Sequence, residues 1–260
     1  MSDNAEPLAV PNEVVAALSR GRGGDAAGAI VAMADLATRL SDSEAAMLVR
    51  MLGDTAAEFA RFHADLIYAL EAAEAQALLA YAPRPGLGYR DVAGHEGAAS
   101  YDRVADMFTH VDFSNCRRFV LVGAGELPMT ALHIHDRTAV AHIDCLDKRP
   151  EAVRSIEALA AWLGSDRLRA LRFDGAQYDY SHADVIFVAN MVRPKQVILA
   201  RILDTAPDHV RIVLRDPYSL GLLWAEEGGA ALDPRASIVA RGPGSRFLSR
   251  NLFLARRAST

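Results

Sequence analysis

The chain has 260 residues, 51% of them apolar and 23% charged, a balance that can bury a core and excludes a disordered or low-complexity protein. With 33 acidic against 28 basic residues the formal net charge is −5, so neither nucleic acid nor an anionic membrane surface is expected as a partner. Two cysteines, Cys116 and Cys145, cannot staple a fold of this size; with no visible signal peptide and no apolar run of the roughly 18 residues a membrane helix needs, the expected location is cytoplasmic.

Residues 12–80 are rich in Ala, Leu and Glu and carry helical periodicity. Asp25 to Leu40 reads as one helix, and Ser41-Asp-Ser-Glu44 has the form of a capping box that opens the next. Ala56 to Leu79 predicts a long helix, broken from its predecessor at Gly53-Asp54. The segment Tyr81-Ala-Pro-Arg-Pro-Gly-Leu-Gly-Tyr89 ends it, because its prolines and glycines cannot continue a helix. Residues 1–82 therefore read as an N-terminal helical bundle and 83–100 as a linker.

Residues 101–260 change to a strand–turn–helix rhythm. Phe119-Val-Leu-Val122 enters Gly123-Ala-Gly125, and Ala139-Val-Ala-His-Ile143 is the second strand, ended by Asp144. A helix over about Pro150 to Leu163 and strands at Leu168–Phe173 and Asp184–Val188 follow; then come a helix over 194–206 and a strand at Val210–Leu214. This alternation marks a parallel sheet covered on both faces. Ser237–Arg241 and Asn251–Ala255 are about nine residues apart, too close for a helical crossover, and predict an antiparallel pair. The expected fold is α/β: a class I methyltransferase-like, Rossmann-like sheet with a helical bundle in front.

Between strand and helix, Gly123, Ala124 and Gly125 let the backbone approach a ligand closely. Asp144, 19 residues beyond Gly125, is placed to accept hydrogen bonds from ribose hydroxyls, a spacing that suits both NAD and S-adenosylmethionine. Pro128 stands at the third glycine position of the dinucleotide fingerprint, which disfavours NAD. Asp174, after the third strand, is where this fold offers a carboxylate to an adenine amino group, and is equally able to be a turn residue. Asn190, at the end of the fourth strand, occupies a ligand-contacting position of such sheets.

On the long helix, Ala60, Ala64, Ile67 and Leu78 form a small-residue stripe on which Glu71 and Glu74 also fall. Carboxylates there are costly if buried without partners and make sense if the stripe faces a polar cleft, where desolvation raises a carboxylate's pKa. A water-exposed edge position is the alternative. His133 and His135 diverge by about 200° on the helix expected after Gly125 and cannot share an ion; no metal is expected.

Leu121-Val-Gly-Ala-Gly-Glu-Leu-Pro-Met-Thr130, His142-Ile-Asp144 and Val185-Ile-Phe-Val-Ala-Asn-Met-Val-Arg-Pro-Lys195 resemble the nicotianamine synthase family. That family includes bacterial staphylopine- and pseudopaline-type opine metallophore synthases and related azetidine-2-carboxylate synthases. The resemblance covers roughly residues 70–225. It implies S-adenosylmethionine as the substrate that binds at the glycine turn, with the 3-amino-3-carboxypropyl arm moved to an amino-acid amine, histidine among the candidates, and methylthioadenosine released. Aligned through Leu78-Leu79, Glu71 takes the place of the family's proton-accepting glutamate. Two departures stand out: Asp147 lies three residues after Asp144, where the family has its second acid two residues on, and Arg215-Asp-Pro-Tyr-Ser-Leu-Gly221 replaces the family's segment after the fifth strand.

Aromatic faces able to steady a sulfonium are offered by Tyr89, Tyr101, Tyr178 and Tyr180, with Tyr89 and Tyr178 the expected catalytic pair beside Glu71. Three alternatives stand beside transfer: cyclisation of S-adenosylmethionine to azetidine-2-carboxylate, methylation of a small molecule, and a non-catalytic nucleotide-binding regulator. The alanine-rich bundle is equally suited to a homodimer interface.

Overall fold

The computed structural model describes residues 10–82, 88–92, 98, 101–230, 232–245 and 247–257. Helices α1 (Asn12–Arg22), α2 (Ala26–Ala37), α3 (Asp42–Leu52) and α4 (Ala56–Leu79) form the front. Asp25 caps α2 by accepting from the Gly28 amide, and the Ser41–Glu44 capping box opens α3. Helix α2 stops at Ala37, short of Leu40, and a 3-10 turn over Gly53–Thr55 separates α3 from α4.

Behind the front, β1 (Arg118–Val122), α5 (Met129–Arg137), β2 (His142–Asp147), α6 (Pro150–Leu163) and β3 (Leu168–Arg172) are followed by β4 (Val185–Val188), α7 (Lys195–Thr205), β5 (Arg211–Pro217), β6 (Ala236–Arg241) and β7 (Ser249–Arg256). The seven strands run in the order β3-β2-β1-β4-β5-β7-β6. The first five are parallel and β7 is antiparallel to both of its neighbours. Alternation along the strands builds two cores: Phe119, Leu121, Cys145 and Phe187 feed one face, and Val120, Val122, Leu146 and Ile186 the other. The order reverses direction between β1 and β4, the place where sheets of this kind open a ligand crevice.

One expectation is corrected. The second strand lies later than Ala139–Ile143: it spans His142–Asp147, so Asp144 is in its middle and Asp147 ends it. A carboxylate in the middle of a buried strand is tolerable here because Arg118 and Arg169, on the two flanking strands, reach it at 3.0 and 2.7 Å. The preceding loop keeps its shape because the Arg167 guanidinium binds the carbonyls of His135, Thr138 and Val140.

The helical front shares its core with the rest of the chain. Its core, with Met33, Phe59 and Phe62, also contains Leu220, Leu223 and Trp224 from beyond β5. Within 83–100, Tyr89–Val92 forms a helical turn; residues 83–87, 93–97, 99 and 100 lie outside the described residues. Among the described residues no helix is long and apolar enough to cross a membrane.

Candidate active site

A cavity of about 430 Å³ opens at the carboxyl ends of β1, β2, β3 and β4 and is roofed by α4. This volume lies within the usual range of small-molecule sites, roughly 300–1,000 Å³. Its floor is the Gly123-Ala124-Gly125 turn, where Gly123 (φ 75°) and Gly125 (φ 69°) adopt the left-handed conformation that favours glycine. A Cβ at Gly123 would collide with Val192, and one at Gly125 with the Glu71 carboxylate.

The roof is contributed by one face of α4, on which His63, Ile67 and Glu71 follow at four-residue spacing. Glu71 Oε2 accepts the Glu126 amide at 3.1 Å, which sets the carboxylate directly against the glycine turn. Burial pushes its pKa up to about 7, partly opposed by that amide and by Arg149. Glu74 parts company with it, because it turns away to accept the Tyr89 hydroxyl at 3.1 Å.

Asp147 occupies the strand-end position expected of Asp144. It lines the cavity, and its two oxygens accept the Gly125 and Arg149 amides, both at 2.9 Å. A carboxylate has about four acceptor sites, so two remain for a ligand. Asp174 lines the cavity after β3 and caps its own turn by accepting the Ala176 amide. Asn190 lines it after β4, with Oδ1 buried and unpaired among the described residues, an acceptor that asks for a donor from a ligand.

Other expected site residues fall elsewhere. Asp144 is fully buried in its ion pairs and does not line the cavity. Tyr178 donates to Asp144 at 3.3 Å, Tyr180 to the Gly175 carbonyl at 2.8 Å and Tyr101 to Asp136 at 2.8 Å. None of these tyrosines, nor Tyr89, lines the cavity. Pro128 stands at the start of α5 outside it, while its neighbours Leu127, Met129 and Thr130 line it. His133 is buried between Tyr101 and Phe108, and His135 pairs with Asp136. Among the described residues no cluster of His, Cys, Asp or Glu could hold a metal ion.

Sequence reasoning missed several residues that line the cavity: His63, Tyr68, Phe173, Phe187 and Arg215. His63 stacks on Trp224 with ring centres 5.2 Å apart, and burial lowers its pKa to about 4, which keeps the ring neutral. Its four-residue spacing from Ile67 and Glu71 was the available signal. The Tyr68 face is already covered by the Arg149 guanidinium at 3.9 Å.

The strand order, the reversed β7 and the glycine turn define a class I methyltransferase-like fold with a helical front. Solved structures extend the likeness across the front as well. A glutamate-to-glutamine mutant of the nicotianamine synthase MtNAS, in complex with S-adenosylmethionine, superposes with a TM-score of 0.78 at 15% identity, over 94% of this chain and 97% of that one. MtNAS in complex with MTA and tNA matches with a TM-score of 0.79 at 16% identity, over 95% and 98%. The mitomycin 7-O-methyltransferase MmcR matches with a TM-score of 0.51 at 18% identity, over 72% and 68%. No protein-family model and no curated protein sequence matches the chain.

Proposed function

We propose that the protein is an S-adenosylmethionine-dependent 3-amino-3-carboxypropyl transferase that acts on an amino-acid amine and releases methylthioadenosine. The observation that carries this reading is the Glu71 carboxylate held against the glycine turn inside the cavity. An attacking ammonium must first lose a proton, and a desolvated carboxylate at that place can accept it.

The cavity's residues fit the ligand's parts. The left-handed glycines let a ligand approach the backbone, Asp147 has acceptor capacity for ribose hydroxyls, and Asp174 with the neighbouring Phe173 suits an adenine. Asn190 Oδ1 is an acceptor for an N–H donor. When bound, S-adenosylmethionine supplies an electrophilic methylene whose bond to sulfur breaks, the electron pair leaving with methylthioadenosine, as the acceptor nitrogen bonds to that carbon. Glu71 takes the ammonium proton, and the α4 roof limits water at the reacting centre. Arg215, Phe247 and Ser249 also line the cavity. Histidine is the first acceptor to try.

The test is to incubate the protein with S-adenosylmethionine, alone and with an amino-acid panel, and identify products by mass. Methylthioadenosine that forms only with an acceptor is the expected result. Its formation without acceptor would replace transfer by cyclisation, S-adenosylhomocysteine would replace it by methylation, and neither nucleoside would sink the reading.

The roles of the two β2 acids can be separated by calorimetry. Asp147→Ala is expected to weaken both S-adenosylmethionine and methylthioadenosine by roughly 10- to 100-fold, the value of hydrogen bonds to a charged group. Asp144→Ala is expected to leave both affinities unchanged and to lower unfolding stability by about 1–3 kcal/mol. The stability loss is held to that range because Arg118 and Arg169 are partly exposed and can turn to water.

A further inference from the structure

We infer that Arg215 anchors an α-carboxylate at the β5–β7 end of the cavity; the inference rests on the reading of the cavity as an S-adenosylmethionine site. Arg215 sits near the end of β5, is only 6% exposed, and lines the cavity. A guanidinium removed from water to that degree needs an anion or a full set of acceptors. It has neither among the described residues: its one hydrogen bond runs from Nε to the neutral Asn251 amide oxygen, at 2.7 Å, and no carboxylate stands within ion-pair distance.

The nearest acid is already engaged. Asp106 lies across Asn251, whose amide nitrogen reaches both of its oxygens at 2.7 and 3.0 Å. Asn251 thus acts as a spacer that fixes the plane of Arg215 through Nε and keeps Asp106 from closing on it. The Nη groups make no hydrogen bond to the described residues, and the guanidinium is supported from one side by the Phe187 ring at 5.3 Å. A fork held at Nε with both Nη groups left over is the geometry that grips a carboxylate in a bidentate manner. Burial lowers the Arg215 pKa to about 9, with the Arg103 charge adding to the effect and Asp106 opposing it; a bound anion would relieve that penalty.

Two molecules of the proposed reaction bring an α-carboxylate: S-adenosylmethionine itself and the amino-acid acceptor. The experiment compares wild type with Arg215→Gln by calorimetry against S-adenosylmethionine, its decarboxylated analogue and methylthioadenosine. Initial rates over acceptor concentration, and thermal stabilisation by amino acids against their decarboxylated amines, complete the comparison. If the carboxylate is that of S-adenosylmethionine, the variant is expected to lose roughly 10- to 100-fold in affinity for it alone. The analogue and methylthioadenosine, which lack that carboxylate, should then bind as before. If it belongs to the acceptor, all three nucleoside affinities hold and the acceptor KM rises by that factor.

Unchanged S-adenosylmethionine affinity together with an unchanged acceptor KM overturns the inference, as does an equal loss for acids and decarboxylated compounds. Wild-type protein that binds none of the nucleosides defeats the functional reading instead. Arg215 is then judged by the thermal shifts alone: stabilisation by amino acids over amines that vanishes in Arg215→Gln upholds it, and no such preference in wild type overturns it. Arg215→Lys, which keeps the charge without the fork, takes the place of the Gln variant if that one does not fold. Its preference for acids over decarboxylated compounds is expected to shrink in the same arm, and an undiminished preference overturns the inference.

Discussion

Glu71→Gln should leave S-adenosylmethionine affinity close to wild type and lower turnover by about 10²- to 10⁴-fold, the usual contribution of a general base. Glutamine is the right probe because its side-chain oxygen can still accept the Glu126 amide, so the contact that seats the side chain on the glycine turn survives. Wild-type kcat should climb as pH rises through about 7, where the carboxylate becomes ionised, and level off above. The variant's residual rate should lack that limb. Stability adds a second readout. A carboxyl whose native pKa is raised from 4.5 to about 7 favours the folded state when protonated. That contribution is complete below pH 4.5 and is lost as pH rises to about 7. Glu71→Gln should therefore melt like wild type near pH 4 and at a higher temperature above pH 7, by an amount of order 1–3 kcal/mol. Full activity with an unchanged pH profile would clear Glu71 of the role of base.

Gly125→Ala should be nearly as damaging to turnover, at least 10²-fold, through displacement rather than chemistry. At φ 69° any β-carbon is strained, and here it would also push into the Glu71 carboxylate. The flexible glutamate can move aside, so the fold should survive with a loss of about 1–2 kcal/mol for the left-handed conformation. What cannot survive is the seat of the carboxylate on the Glu126 amide. Gly164→Ala is the control: it has φ 60° at the end of α6, with nothing within 4 Å of the added carbon. It should cost similar stability and leave turnover unchanged. Equal kinetic losses for the two variants would mean that strain, not the site, governs the effect.

The fold was largely readable because local signals agreed with one another: the capping box at Ser41, the Pro and Gly stops, and apolar runs at helix-length intervals. The site was readable where function depends on backbone conformation, as at Gly123 and Gly125, or on a carboxylate out of place on an apolar stripe, as at Glu71. It was misread where a long-range partner reverses the local meaning of a residue. Asp144 looks like a strand end because a mid-strand carboxylate is costly, and nothing nearby announces that Arg118 and Arg169 will neutralise it from the neighbouring strands. The tyrosines were placed by loop position, but a tyrosine hydroxyl follows its hydrogen-bond partner. Glu74, Asp136, Asp144 and the Gly175 carbonyl draw all four away from the cavity. Arg215 opens the segment that departs from the family's after the fifth strand, but an arginine near a strand end is ordinary until its surroundings become visible.

Leu220, Leu223 and Trp224 put the segment after β5 inside the core of the helical front. The chain's last third therefore clamps its first quarter, and the roof helix cannot swing open as a separate body without tearing apolar contacts. Entry of a substrate has to proceed by smaller local openings around the rim, and heat should melt front and sheet together in one cooperative step. A ligand that touches only the glycine turn would then brace Phe59 and Met33 as firmly as it braces the strands, although it makes no contact with either.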